Sequence, residues 1–107
     1  MAARKFSPKD KDEVLDYTVD WSRLLDTDTI STFSWKIHQD EGNTDFPIAA
    51  GETVLGLQLE QASNTNSVVT ARFGLGTNNV TYKLICSVTT ATGLTFARTI
   101  LLPIKEK

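Results

Sequence analysis

The sequence predicts an all-β protein: an immunoglobulin-like antiparallel β-sandwich with an extended N-terminal arm. Three observations carry this. Apolar residues alternate with polar ones along most of the chain, the period of a half-buried strand. Thr, Val, Ile and Ser abound, whereas runs of Ala, Leu, Glu and Lys that would favour helices are missing. Turn signals separate the alternating runs about every 8–14 residues with no helical segment between them, which points to an antiparallel sandwich rather than βαβ units.

The chain has 107 residues, enough for one domain with its own core. Residues 1–13 read as the arm and 14–107 as the sandwich. The arm interleaves Arg4, Lys5, Lys9 and Lys11 with Asp10, Asp12 and Glu13. Its charged half has no visible core role; the arm reads either as a solvated tail or as a segment that orders against a neighbouring subunit, with Phe6 then its single apolar anchor. Val14 to Trp21 is the first strand, with Leu15, Tyr17, Val19 and Trp21 on its inner face. Ser22 to Asp28 reads as a turn or short irregular connection. Thr29 to Ile37 is the second strand, with Phe33, Trp35 and Ile37 sharing a face.

His38 to Gly51 reads as the longest irregular segment, with room for one short strand. Thr53 to Gln61 is the third strand, with Leu55, Leu57 and Leu59 inward. Ala62 to Asn66 and Gly74 to Asn79 are turns around a fourth strand, Ser67 to Phe73. Val80 to Thr90 is the fifth and most regular strand, and Tyr82 within it is placed to form a tyrosine corner. Ala91-Thr92-Gly93 is a tight hairpin loop with Gly where a positive φ is needed. Leu94 to Ile104 is the last strand. Arg98 shares the parity of Ile100 and Leu102, which predicts a bulge or an exposed first half. Pro103 cannot donate to a ladder, so this strand ends at, or runs along, an edge.

Composition narrows function. The net charge of −2 does not suit a general nucleic-acid binder, which needs a basic surface. No apolar run reaches the ~18–20 residues of a membrane helix. No apolar leader follows the start, so no secretory signal is expected. One cysteine excludes an intrachain disulfide and suits a reducing compartment.

Catalytic chemistry finds little material. His38 is the only histidine and Cys86 the only cysteine. Cys86 has inward parity, which suits a small hydrophobe better than half of a Cys–His dyad. His38, Asp40, Glu41 and Asp45 gather in one segment, but zinc prefers several His or Cys ligands and calcium six or more oxygens. A solvated acidic loop is the simpler reading, and no metal or other cofactor is expected. Trp21 and Trp35 could be stacking platforms, yet both have core parity.

The block PKDKDEVLDYTVDWSRLL, followed at once by DTDTISTFSW, resembles the phage fiber-tail adaptor proteins, a family of small tailed-phage proteins. Their N-terminal pattern is close to K-D-P-D-E-x-L-D-Y-x-x-D-W. Tyr82 to Thr90, Gly93 and Arg98-Thr99-Ile100 resemble their C-terminal half, and the likeness is weakest from His38 to Asn66. Lys11 stands where the family often has Pro, which makes this arm less stiff. The resemblance implies a non-enzymatic structural component of the virion tail, assembled in the host cytoplasm. It would be present in several copies of a symmetric assembly, and would join tail fibers or spikes to the tail core through other virion proteins. A capsid decoration protein or a carbohydrate-binding sandwich is the alternative, and a small hydrolase using Asp40, Glu41 and Asp45 a third. The expected partner-binding residues are Phe6, Lys9, Lys11 and Asp12 in the arm, and His38, Asp40 and Glu41 after the second strand.

Overall fold

A computed structural model of the chain describes residues 4–106. Two β-sheets pack face to face. One has the order β1-β9-β8-β3-β4 and the other β2-β7-β6-β5. The first contains β1 (Arg4–Lys5), β3 (Ile30–Gln39), β4 (Thr44–Ile48), β8 (Thr81–Thr90) and β9 (Thr95–Pro103). The second contains β2 (Leu15–Asp20), β5 (Glu52–Val54), β6 (Leu57–Asn64) and β7 (Val68–Leu75). All pairs are antiparallel except β1 with β9. The order β9-β8-β3-β4 facing β2-β7-β6 is that of an immunoglobulin sandwich, and Trp35 on β3 stands where such domains bury a tryptophan.

The inner faces follow the alternation of the sequence. Tyr17, Val19 and Trp21 from β2 and its end meet Trp35, Ile37, Leu84, Cys86 and Val88 from the opposite sheet, all buried. Trp35 sets its ring edge-on to Phe73, with centroids 5.5 Å apart. Leu15, expected inside, is only half-buried.

Several elements depart from the sequence reading. The 38–51 segment holds the one short strand it had room for, β4, whereas Ser22–Leu25 forms the one-turn helix α1 rather than a turn or irregular link. The single strand expected over 53–61 is a hairpin. β5 and β6 meet at a two-residue turn, Leu55-Gly56, with φ of 51° and 84°. Positive φ at both central residues makes this a primed turn, which normally takes Asn-Gly. Leu55 therefore points out, 40% exposed, instead of in. Strand β6 runs on to Asn64 through the stretch read as a turn, and Gly74 and Leu75 belong to β7.

No bulge interrupts β9 at Arg98, since its register with β8 runs unbroken from Thr95 to Pro103. The bulges lie between Ile30 and Thr32 and between Leu59 and Gln61. The first half of β9 is the more exposed, as expected. Arg98 keeps its inward parity by laying its guanidinium over the Trp21 ring, 4.4 Å from the centroid, and donating to the Asp20 carbonyl.

Residues 4–9 lie along β9 of their own chain. The Phe6 N–H donates to the Leu101 carbonyl, and the Lys9 N–H to that of Pro103. The absence of a core role expected for the charged half is corrected at Lys9, whose side chain is 0% exposed.

A candidate contact surface at one end of the sandwich

The expected site residues divide into two groups. Phe6 packs on the core, stacked on Tyr17 with ring centroids 4.5 Å apart. Tyr17 reinforces this by donating its hydroxyl to the Ser7 carbonyl. Lys9 is buried and donates its ammonium to the Asp10 carbonyl at 2.6 Å. Burial pushes the Lys9 pKa down, against the pull of Glu13, Asp10, Asp12 and Glu60. These two side chains hold a strap, residues 4–9, to its own domain.

The others lie toward one end of the sandwich. Lys11 and Asp12 are exposed and pair with each other at 3.3 Å. They follow Lys9, which bridges to Ile104, and Ile104 in turn donates to the Val80 carbonyl. At the same end His38 closes β3. Its Nδ1 lies 2.6 Å from Asp45 Oδ1 and its Nε2 3.3 Å from Asp40 Oδ1. Lys83 donates to Asp40 at 2.8 Å, and this hydrogen bond holds the Asp40 carboxyl below its ordinary pKa. Glu41 is exposed. Asp45 sits on β4, directly across from His38, so the register of β3 and β4 builds this cluster.

Between these groups lies a feature that the alternation of the sequence does not show. A cleft of about 290 Å³ opens among Ile37, Leu55, Val80, Tyr82 and the polar pair His38 and Lys83. Tyr82 forms its floor and is buried. Its hydroxyl donates to the Leu55 carbonyl at 2.7 Å and accepts from the Thr77 N–H at 3.0 Å. The expected tyrosine corner is thus present, and it ties two turns instead of one. The Leu75-Gly76 step, where β7 ends, lies beside Leu55-Gly56, since the Gly76 N–H donates to the Gly56 carbonyl. The signal for this site was the pair of Leu-Gly steps, which resemble turns only once the leucines are allowed a left-handed backbone.

Cys86 is buried, and burial pushes its thiol up to about 12 despite the Trp21 indole and Arg98 nearby. His38 is on the outer side of the same sheet, so the two cannot form a dyad. Among the described residues no group of three or more His, Cys, Asp or Glu side chains is placed to hold a metal ion, and no helix is long and apolar enough to cross a membrane. Trp21 and Trp35 are 0% and 2% exposed and offer no stacking platform.

The comparison with known families agrees with the N-terminal block and extends it. No curated protein matches the chain. The model of one family does match, and it covers residues 9–103, from the buried lysine of the strap to the end of β9. With most of the chain inside that match, the protein belongs to the family of the podophage GP4 fiber-tail adaptor protein gp77.

Proposed function

We propose that the chain is a structural component of a phage tail, an adaptor that joins tail fibers or spikes to the tail core through protein–protein contacts alone. The match to the fiber-tail adaptor family over residues 9–103 carries this reading. It is supported by a sandwich whose lone cysteine is buried and whose histidine is engaged with two carboxylates. In such an assembly many copies act together, so each contact can be weak. The contact residues are Lys11, Asp12, Asp40 and Glu41, exposed at one end, with His38 and Lys83 fixing the position of Asp40.

The test is the composition of purified virions. Mass spectrometry should find this chain at a fixed ratio to the other tail proteins. Its absence from intact particles would end the adaptor reading.

A further inference from the structure

Of the six exposed large hydrophobic residues among those described, four gather at the end just described: Val14, Leu55, Leu75 and Val80, between 37% and 51% exposed. Val14 lies beside Gly74, next to Leu75: a Cβ added at Gly74 would meet its Cγ2 at 3.4 Å. Leu75 is joined to Leu55 through the Gly76–Gly56 hydrogen bond, and Leu55 and Val80 line one cleft.

Two of the four pay no obvious debt to folding. Among the described residues, five non-glycine residues have positive φ: Asp26, Asn43, Asn79, Leu55 and Leu75. Asp and Asn tolerate that backbone because their side chains bond locally. Leucine does not, and the left-handed region costs an ordinary residue about 1–2 kcal/mol. Leu55 and Leu75 thus incur a backbone cost and also leave an apolar side chain in water. Asn would suit both positions better on both counts. Strain of this kind with exposed apolar surface marks a place where binding, not folding, sets the residue.

The surroundings choose the occupant. Carboxylates outnumber lysines at this end: Asp12, Asp40, Glu41, Asp45 and Glu106 against Lys11, Lys83 and Lys105. A second copy would bring two acidic rims together, which disfavours self-association at this end. An apolar centre within a charged rim is the usual anatomy of a protein interface.

We infer that this end docks a segment of another virion protein that inserts an apolar side chain into the cleft beside Leu55 and flanks it with Lys or Arg. The inference rests on the adaptor reading and names the chemistry of its partner.

The probe is a preparation of phage particles assembled without this chain, to which purified full-length protein is added. Bound chain is quantified by mass spectrometry. Wild type should load, and less so as salt rises. The Leu55→Asn, Leu75→Asn double variant should melt at the same temperature as wild type or higher, yet load about tenfold less or worse. Asp12→Lys with Glu41→Lys should weaken loading and flatten its salt dependence.

Normal loading of the double leucine variant overturns the inference. So does a lower melting temperature, since the leucines would then serve the fold. Stronger loading after charge reversal overturns the basic flank. Concentration-dependent dimerisation of wild type that the leucine variant abolishes would assign the patch to a second copy instead. Wild type that never loads and is absent from normal virions fails the adaptor reading itself; wild type present in virions but indifferent to every variant fails only the docking site.

Discussion

The two ends of this sandwich treat their turns differently. At one end the β8–β9 hairpin uses Gly93 at φ 93°, with open space around it. Thr90 accepts the Leu94 N–H on its hydroxyl, and Thr92 donates to Asp28. Each residue there suits the backbone it occupies. At the other end Leu55 and Leu75 occupy left-handed backbone and stand exposed. The first end also shows exposed leucines, Leu24 and Leu94, but neither is in positive φ. The contrast teaches where folding alone explains the sequence and where it does not. Local consistency is the rule in foldable chains, and departures gather at functional positions.

The comparison presumes that both ends hang on one cooperative core, and alkaline pH tests this with the largest effect. Cys86 and Tyr17 are buried, and each is pushed up to about 12, from 9.0 and 10.0. In both, burial disfavours the charged form. A raised pKa contributes stability that is whole below the unfolded value and is lost as pH rises through the folded one. The loss should begin near pH 9 and run to about 12, amounting to about 4 kcal/mol from Cys86 and about 3 from Tyr17. Lys9 opposes this in part: its lowered pKa is a cost below that value, relieved as pH approaches 10.5. Urea midpoints across this range should fall, and hydrogen exchange should show Gly76 and Gly93 losing protection together. Cys86→Ala should delay the onset by about one pH unit. A hairpin at Gly93 that opened alone would break the premise.

A smaller effect separates the ends directly. An added Cβ at Gly76 would sit 2.9 Å from two atoms of Ile104, at φ 107°, whereas at Gly93 it would meet nothing. Gly76→Ala combines backbone strain with overpacking of a buried side chain and should cost about 2–4 kcal/mol. Gly93→Ala suffers the strain alone, about 1 kcal/mol. Equal losses in denaturant melts would show that Ile104 yields freely and that the leucine turns are less constrained than their geometry implies.

The legibility of the sequence follows the same division. Period-two alternation made the core strands plain, because burial on one face leaves no other register for Tyr17, Trp35, Leu84 or Cys86. The Gly93 hairpin was legible because its residues obey turn chemistry. The β5–β6 hairpin was hidden because Leu55, Leu57 and Leu59 imitate a continuous inner face, and nothing in a leucine announces positive φ. The polar site residues were half legible. His38, Asp40 and Glu41 are at the surface, but the turn-rich stretch after them allows a short strand without placing it, and it is β4 whose Asp45 completes the cluster. Lys9 was misplaced because a lysine among charges reads as solvated. What the local sequence does not show is its parallel bridge to Ile104, just past β9 and 95 positions away.

The smallest effect concerns two carboxylates, one at each end, both held below the ordinary range and both at the surface. Asp28 is lowered first by the Thr92 hydroxyl and then by that of Thr90. Asp40 is lowered first by its hydrogen bond from the Lys83 ammonium, with further help from the Lys83 and His38 charges. A hydroxyl carries no net charge for salt to screen, whereas an ammonium does. Raising salt to about 0.5 M should therefore lift the Asp40 pKa and leave that of Asp28 nearly still, as read by NMR titration of the two carboxyl groups. Thr92→Val should do the reverse, lifting Asp28 alone. In both cases the sign is that of a depressed carboxylate, whose contribution is present above its unfolded pKa and is lost as pH falls through the folded one. If Asp40 ignores salt, its ammonium contact is too tight to screen, and a basic partner would then have to compete with Lys83 for that carboxylate. If it responds, the carboxylate can be shared, and the acidic rim remains open to a cationic neighbour while the hairpin at the far end stays closed on itself.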